Sequence, residues 1–227
     1  MQLLYEHMQD SSAPQYRLDH HVGSEPEETE VLGVSGSVLF ESVTLDRIFV
    51  QLRHLSEVRS AKRFNFSTCR GSTSYSDQVY SLQKGLHFLS TFAVNLTTIE
   101  RCCSLAGLAY LHVAVCDMSS QSRAVETVIE RLCVHVEQMT SSEDFYAVSH
   151  RDESVSLKIF WTLAVGYVAV EVKHNQQALI VLLKRQCAWL KYKTISERKI
   201  LLETVLWNKE WDSHLPLLWE DFDNLNC

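Results

Sequence analysis

The sequence predicts an all-α fold, organised as a single domain of about six to eight packed helices. Proline is scarce: the chain of 227 residues has only Pro14, Pro26 and Pro216, so no proline interrupts residues 27–215. Only seven glycines occur, and long helices are therefore permitted almost everywhere. Apolar residues recur at steps of three and four, whereas no turn-bounded alternation typical of strands repeats.

Apolar periodicity marks the helices one by one. A stripe through residues 44–59 predicts the first helix, and a second stripe through 79–93 follows a predicted loop at 71–77. Residues 97–116 are apolar nearly all round, which predicts a central helix, and the polar run at 118–122 ends it. The remaining predicted helices lie at 125–139, 154–172, 176–192 and from 194 to about 210.

The longest uncharged apolar run, IFWTLAVGYVAV at 159–170, predicts a buried core helix. It is too short to cross a bilayer as a helix, because a spanning helix needs about 20 residues. Two local signals predict where helices start in the C-terminal part of the chain. Thr194 and Glu197 have capping-box spacing and open the last long helix, and Pro216 begins a short final helix.

Charge divides the chain into two predicted parts. Residues 1–58 carry ten acidic and three basic side chains, so the whole formal net charge of -7 lies there. Residues 1–43 are predicted to be a flexible, loosely ordered acidic segment, and residues 44–227 are predicted to form the helical domain. Because the remaining charges balance, direct binding of nucleic acid by this chain is not expected.

The seven cysteines are interpreted as reduced thiols. Most of them sit among apolar residues, and no apolar signal-peptide core follows the first residues, so an intracellular compartment is expected. The adjacent pair Cys102 and Cys103 is interpreted as core packing and not as a redox switch. Neighbouring positions of a helix diverge by about 100° and rarely bridge.

No enzyme, metal or cofactor is predicted. The chain lacks the G-x-S-x-G, glycine-rich phosphate-loop and H-E-x-x-H motifs. A zinc site from His112, Cys116, Cys133 and His135 would need ligands from opposite sides of one helix, because Cys133 and His135 point about 200° apart. The basic run at 59–70 is interpreted as a solvated surface, with phosphate contact or nuclear import as alternatives.

The ending LETVLWNKEWDSHLPLLWEDF, at 202–222, holds three of the five tryptophans. The favoured interpretation is a terminal helix that docks Trp207, Trp211, Trp219 and Phe222 onto the core. The alternative is an acidic, aromatic segment that binds a partner protein. The residues of that possible partner-binding segment are Trp211, Leu217, Leu218, Trp219 and Phe222.

The middle of the chain carries three segments in a fixed order: ERCCSLAGLAYLHVAV at 100–115, SRAVETVIERLCVHVEQM at 122–139 and SLKIFWTLAVGYVAV at 156–170. They resemble the C-terminal fungal-specific regulatory domain of fungal zinc-cluster (Zn2Cys6-type) transcription factors. The first is similar to the family segment E-x-A-C-R-L-A-A-L-x-Y-L, the second to the helix that follows it, and the third to L-L-W-x-L-F-V-G-G-I-A.

Two later segments extend the resemblance to about residues 80–222. VLLKRQCAWL at 181–190 stands where the family has a charged, aromatic helix. Trp207 is followed by Leu218-Trp219-Glu220, as a tryptophan is followed by L-W-E in the family ending. The chain has no C-x-x-C pair, with which the family's zinc-cluster module opens. It therefore resembles the regulatory half without the DNA-binding module.

The resemblance implies a transcriptional regulator that works in the nucleus without catalysis. It would act through protein partners of the transcription machinery, through a DNA-binding partner, or through a small effector in a helix-lined cavity. Two alternatives stay open. One is a non-catalytic helical scaffold or oligomerisation protein, and the other, less favoured, is a small helical enzyme.

Overall fold

The computed structural model describes residues 42–60, 72–140, 152–170 and 173–224. Within these ranges the prediction of an all-α fold is confirmed, with eight α-helices and no strand. They belong to one compact unit, Ser37–Cys227. In chain order the helices are α1 (Val43–Ser60), α2 (Ser72–Thr91), α3 (Thr98–Tyr110), α4 (Arg123–Thr140), α5 (Glu153–Ala169), α6 (Lys173–Gln186), α7 (Ile195–Val205) and α8 (Leu215–Asn224).

The predicted helices at 44–59, 125–139 and 154–172 are confirmed as α1, α4 and α5. Asp152 caps the start of α5, where its carboxylate accepts hydrogen bonds from the first backbone N–H groups. None of the described helices combines the length and the apolar character that a membrane crossing requires. The predicted acidic segment, 1–43, lies outside the described residues except for its last two positions.

The central helix of this unit is α3, as the apolar run at 97–116 predicts. All residues over 102–112 are buried, and α3 packs against α1, α2, α4 and α5. Gly107 allows the approach of α2, since a Cβ atom there would lie 3.1 Å from Leu86 Cδ2. The helix then widens into a π-helical turn, Leu111–Val115.

A capping box closes the N-terminus of α3. The Thr97 hydroxyl accepts from the backbone N–H of Glu100 at 3.2 Å, and Glu100 Oε2 accepts from the Thr97 N–H at 3.2 Å. The other oxygen, Oε1, accepts from the Ser42 N–H at 2.9 Å, so the buried Glu100 also joins the start of α1 to α3. The capping box predicted for Thr194 and Glu197 at the start of α7 is confirmed.

The prediction of a loop at 71–77 is wrong from residue 72 onward, because α2 begins at Ser72. Its first turns are rich in serine and threonine, which are weak helix formers. Tyr75 and Val79 nevertheless pack against the hydrophobic core from this part of α2. Burial of these two side chains outweighs the weak local propensity.

Two predicted helices end earlier than their apolar periodicity indicates. The helix predicted at 176–192 is divided, because α6 ends at Gln186 and Ala188–Tyr192 form a separate 3-10 turn. The helix predicted from 194 to about 210 ends at Val205. A second 3-10 turn, Lys209–His214, then leads into α8. The early end of α7 follows from contacts with distant helices.

The tryptophan-rich ending docks onto the core, as the favoured interpretation predicted. Trp207 is partly buried against the core, and Pro216 lies in the first turn of α8, as expected from its missing N–H group. Other side chains of the ending belong to the same hydrophobic core as α3 and α5. The fully packed members are Trp211, Leu218, Trp219 and Phe222.

A buried arginine fastens α8 to α7. The guanidinium of Arg198 lies 5.3 Å from the ring of Trp219 and 5.1 Å from that of Phe222. It donates to both carboxylate oxygens of Asp223, at 3.3 and 3.2 Å, and Arg198 Nε donates to the Leu190 carbonyl at 3.1 Å. The buried charge is therefore compensated while its planar face packs on two aromatic rings.

Replacing Phe222 with alanine tests whether the ending is docked. The ring is fully buried, so its loss is expected to lower the free energy of unfolding by about 3–5 kcal/mol, measured by urea denaturation. Leu217 on the same helix is 51% exposed, so Leu217→Ala is expected to change this free energy by less than about 0.5 kcal/mol. Equal stabilities of the two variants would contradict the docked arrangement.

Candidate functional site

The C-terminal end of α7 is held by side chains from α1 and α5. Arg53 Nη2 donates to the carbonyl oxygens of Thr204 and Val205, at 3.2 and 2.6 Å. The indole N–H of Trp161 donates to the carbonyl oxygen of Leu206. These distant donors satisfy carbonyl groups that have no partner within their own helix. The chain therefore leaves the helical conformation here and turns along α1.

The 3-10 turn Lys209–His214 is fixed by both hydrogen bonds and ring contacts. The buried Asn208 caps it, accepting from the Glu210 N–H at 3.0 Å. The indole of Trp211 meets the ring of Tyr110 edge to face, with 5.2 Å between centroids. It also meets the indole of Trp207 edge to face, at 5.5 Å. We call Trp207 and Trp211 the tryptophan pair.

An open cleft of about 590 Å³ lies where this segment runs along α1. Its floor includes two buried residues, Ser56 and Leu206, and Trp207 forms a half-buried wall. Four charged side chains, all exposed, stand around it. We call this the charged cleft, and its lining residues are Arg53, Ser56, Glu57, Ser60, Glu203, Leu206, Trp207 and Lys209.

The groups in the charged cleft suit binding. Neither histidine nor cysteine is among its lining residues. The Ser56 hydroxyl lies 2.7 Å from the Tyr110 hydroxyl. Burial raises the pKa of Tyr110 to about 12, although its hydrogen bond with Ser56 opposes this, so the phenol stays protonated at neutral pH. The Ser56 hydroxyl is therefore held by a neutral phenol.

A second, smaller cleft of about 300 Å³ involves the other member of the tryptophan pair, Trp211. Tyr167 also lines it, and its hydroxyl donates to Asp221 Oδ2 at 2.5 Å. Burial and this hydrogen bond raise the pKa of Tyr167. Gln176 is fixed by a 2.7 Å hydrogen bond to the Val170 carbonyl. We call this the Tyr167 cleft.

The structure divides the five residues of the possible partner-binding segment between two environments. Trp211 and Leu217 line the Tyr167 cleft, and Leu217 is largely exposed. Leu218, Trp219 and Phe222 are buried in the core. The five side chains therefore do not form one continuous surface, although two of them reach the edge of a cleft.

The four residues weighed as zinc ligands occupy different environments. His112 is buried, Cys116 is exposed, and Cys133 and His135 are intermediate. Within the part of the chain that the structure describes, no group of three or more histidine, cysteine or acidic residues is placed to hold a metal ion. The four residues therefore do not form a metal-binding group in this structure.

Cys102 and Cys103 are both buried in α3, as the core-packing interpretation predicted. Cys103 Sγ lies 3.4 Å from the Thr162 hydroxyl of α5. Burial raises the pKa of Cys103 to about 12 and raises that of Cys102 as well, so neither thiol ionises near neutral pH.

Most of the basic run at 59–70 lies outside the described residues, but Arg59 is described. Its Nη1 donates to the Val115 carbonyl at 2.5 Å, and its Nη2 pairs with Asp117, which has a positive φ of 53°. Arg59 therefore joins the end of α1 to the π-helical turn after α3. One of the four basic charges of the run thus has a structural role.

His112 is a buried imidazole in the π-helical turn. Neither ring nitrogen has a hydrogen-bond partner among the described residues. Burial lowers the pKa of His112 below its ordinary value of 6.5, because the charged form would lose its hydration. The group therefore stays neutral in the folded chain at neutral pH.

His112→Leu tests this burial through the pH dependence of stability. Unfolding exposes His112, which then takes up a proton below pH 6.5, so acid favours the unfolded chain. We expect the free energy of unfolding to fall as the pH is lowered through 6.5, the ordinary pKa of histidine in the unfolded chain. The fall should be smaller in His112→Leu than in the unsubstituted chain. An identical fall in His112→Leu would contradict the burial.

Comparisons with family models, with characterised proteins and with solved structures give no match for this chain. The resemblance to fungal zinc-cluster regulators therefore stays a prediction that rests on the five segments described above.

Proposed function

We propose that this chain is the effector-responsive regulatory domain of a transcription regulator, acting in the nucleus through protein partners and without catalysis. The observation that carries the proposal is the charged cleft, one wall of which is formed by the tryptophan pair's Trp207. Sites between packed helices are common places for small ligands. The segment resemblance supports the regulatory role, and the balanced charge after residue 58 argues against direct contact with DNA.

The tryptophan pair offers a route from effector to partner. Trp207 is only partly buried, and its indole N–H is held by Asp212 at 3.1 Å. A ligand in the charged cleft would favour the orientation of Trp207 that it contacts best. Because Trp207 packs on Trp211, that preference would reach the Tyr167 cleft and the exposed Leu217 beside it. A partner protein that recognises this edge would then respond to the effector.

A reporter assay tests the regulatory role. The chain is fused to a heterologous DNA-binding domain in a reporter cell, and expression is compared with that from the DNA-binding domain alone. Truncation of the ending would remove buried side chains, so point variants are used instead. We expect the intact fusion to change reporter expression and Leu217→Asp to remove most of that change, because Leu217 is an exposed apolar contact for a partner.

Val134→Asp is the matched control for this assay. Val134 lies on α4 and is 50% exposed, close to the 51% of Leu217, so both substitutions place a charge on an exposed apolar position. The control should keep the reporter response. A soluble, nuclear fusion that leaves expression unchanged would contradict the regulatory role. Equal losses in both variants would contradict the assignment of Leu217.

A second candidate function, a self-associating scaffold, is favoured by the outer face of α2. Tyr80 and Phe88 of α2, and Phe92 directly after its last residue, follow one another at steps of eight and four, and each is more than half exposed. Asp77 and Lys84 are of opposite sign and lie on either side of Tyr80. If two copies pack α2 against α2 in antiparallel fashion with the two Tyr80 side chains at the centre, Asp77 of each copy comes close to Lys84 of the other.

Sedimentation velocity distinguishes this alternative. If the chain is a scaffold of this kind, it should form dimers, and the double change Phe88→Gln with Phe92→Gln should shift it to monomers by removing exposed apolar contacts. Tyr192→Gln alters another exposed aromatic residue and should leave the dimer unchanged. A chain that stays monomeric over the whole concentration range would exclude the scaffold.

A further inference from the structure

The charged cleft holds one acidic side chain, Glu57, that has no ion-pair partner among the described residues. Arg53 and Glu57 are four residues apart on α1, a spacing at which opposite charges normally pair. Arg53 instead turns to the carbonyls at the end of α7, and Glu57 has no ion-pair partner among the described residues. Its exposed carboxylate is therefore available to a ligand.

The second acid of the cleft, Glu203, is only loosely paired. The Lys199 ammonium lies 2.5 Å from Asp212 Oδ2 but 3.8 Å from Glu203 Oε1. The Lys199 ammonium therefore pairs mainly with Asp212 of the 3-10 turn and only weakly with Glu203. Glu203 keeps most of its capacity to accept hydrogen bonds from a cation.

The basic side chains of the cleft are also available to a ligand. Lys209 has no ion-pair partner among the described residues and is exposed. Arg53 uses a single nitrogen, Nη2, for both carbonyl contacts. The other nitrogens of this guanidinium remain for a ligand, and the two contacts hold the planar group in place before any ligand arrives.

Trp207 adds an aromatic wall to the charged cleft. Its N–H is held by Asp212, and its ring packs edge to face on Trp211. An indole beside carboxylates is a favourable surface for an ammonium group, because the ring face attracts positive charge. The same wall can cover an apolar side chain of a ligand.

From this arrangement we infer that the charged cleft binds a small zwitterion, a free α-amino acid or a dipeptide, through its ammonium and carboxylate groups. Glu57, Glu203 and Trp207 receive the ammonium, and Arg53 with Lys209 receives the carboxylate. A simple anion or a simple cation would compensate lining charges of one sign only, whereas a zwitterion compensates both signs. A cleft of about 590 Å³ has room for either ligand. This inference rests on the effector-responsive function proposed above.

Isothermal titration calorimetry on the full chain tests the inference. The probes are leucine, phenylalanine and alanyl-leucine, each compared with its N-acetyl form and its C-terminal amide, which lack one of the two charges. We expect saturable binding of at least one zwitterion and about tenfold weaker binding of its acetylated and amidated forms. Comparison of the two amino acids with alanyl-leucine decides between the free amino acid and the dipeptide.

Two variants link the binding to the cleft. Glu57→Gln should weaken the zwitterion about tenfold but leave the affinity for the N-acetyl form unchanged, since that form has no ammonium. Lys209→Gln should weaken the zwitterion about tenfold but leave the affinity for the C-terminal amide unchanged, since the amide has no carboxylate. Glu130→Gln on α4 and Lys191→Gln alter exposed charges elsewhere and should keep full affinity.

The inference is overturned if no probe binds saturably, if the one-charge forms bind as tightly as the zwitterions, or if both cleft variants keep full affinity. These outcomes are separable from failure of the proposed function, because calorimetry needs no partner protein and no DNA. Reporter activity without zwitterion binding would reject the ligand class alone. Binding without reporter activity would reject the transcriptional role alone.

Discussion

The carbonyl groups at the end of α7 must be hydrogen-bonded, and Arg53 and Trp161 meet this requirement from α1 and α5. This interaction ends the helix at Val205 and sends the next segment along α1. The same contact turns Arg53 away from Glu57, which has no ion-pair partner among the described residues. The hydrogen bonds to the three carbonyl groups of Thr204, Val205 and Leu206 thus affect both the fold and the candidate site.

Much of the fold could be predicted from local sequence, because burial on one helix face leaves a regular apolar pattern. The pattern identified α1, α4 and α5, and the spacing of Thr194 and Glu197 identified the start of α7. The pattern failed where contacts between distant residues end a helix. α7 stops early because its last carbonyl groups bind Arg53, which lies about 150 positions away in sequence and is not part of the local pattern. α2 starts early because Tyr75 reaches the core.

The candidate site was harder to predict than the fold, for a related reason. Arg53 and Glu57 belong to α1, whereas Glu203 and Lys209 belong to the segment around the end of α7. No local spacing relates these charges, and the pairing normally expected between Arg53 and Glu57 conceals the free carboxylate. Only Trp207 carried a visible signal, as a member of an unusually tryptophan-rich ending.

The contact between Trp207 and Trp211 has a thermodynamic consequence. Each indole lines a different cleft, and the two rings share one edge-to-face contact. Two ligands that require different orientations of this pair would oppose each other, and two that require the same orientation would help each other. By linkage, each ligand would change the affinity of the other by the same factor. If both clefts bind ligands, the tryptophan pair would couple the two binding equilibria, so that a change at one cleft would alter the affinity of the other.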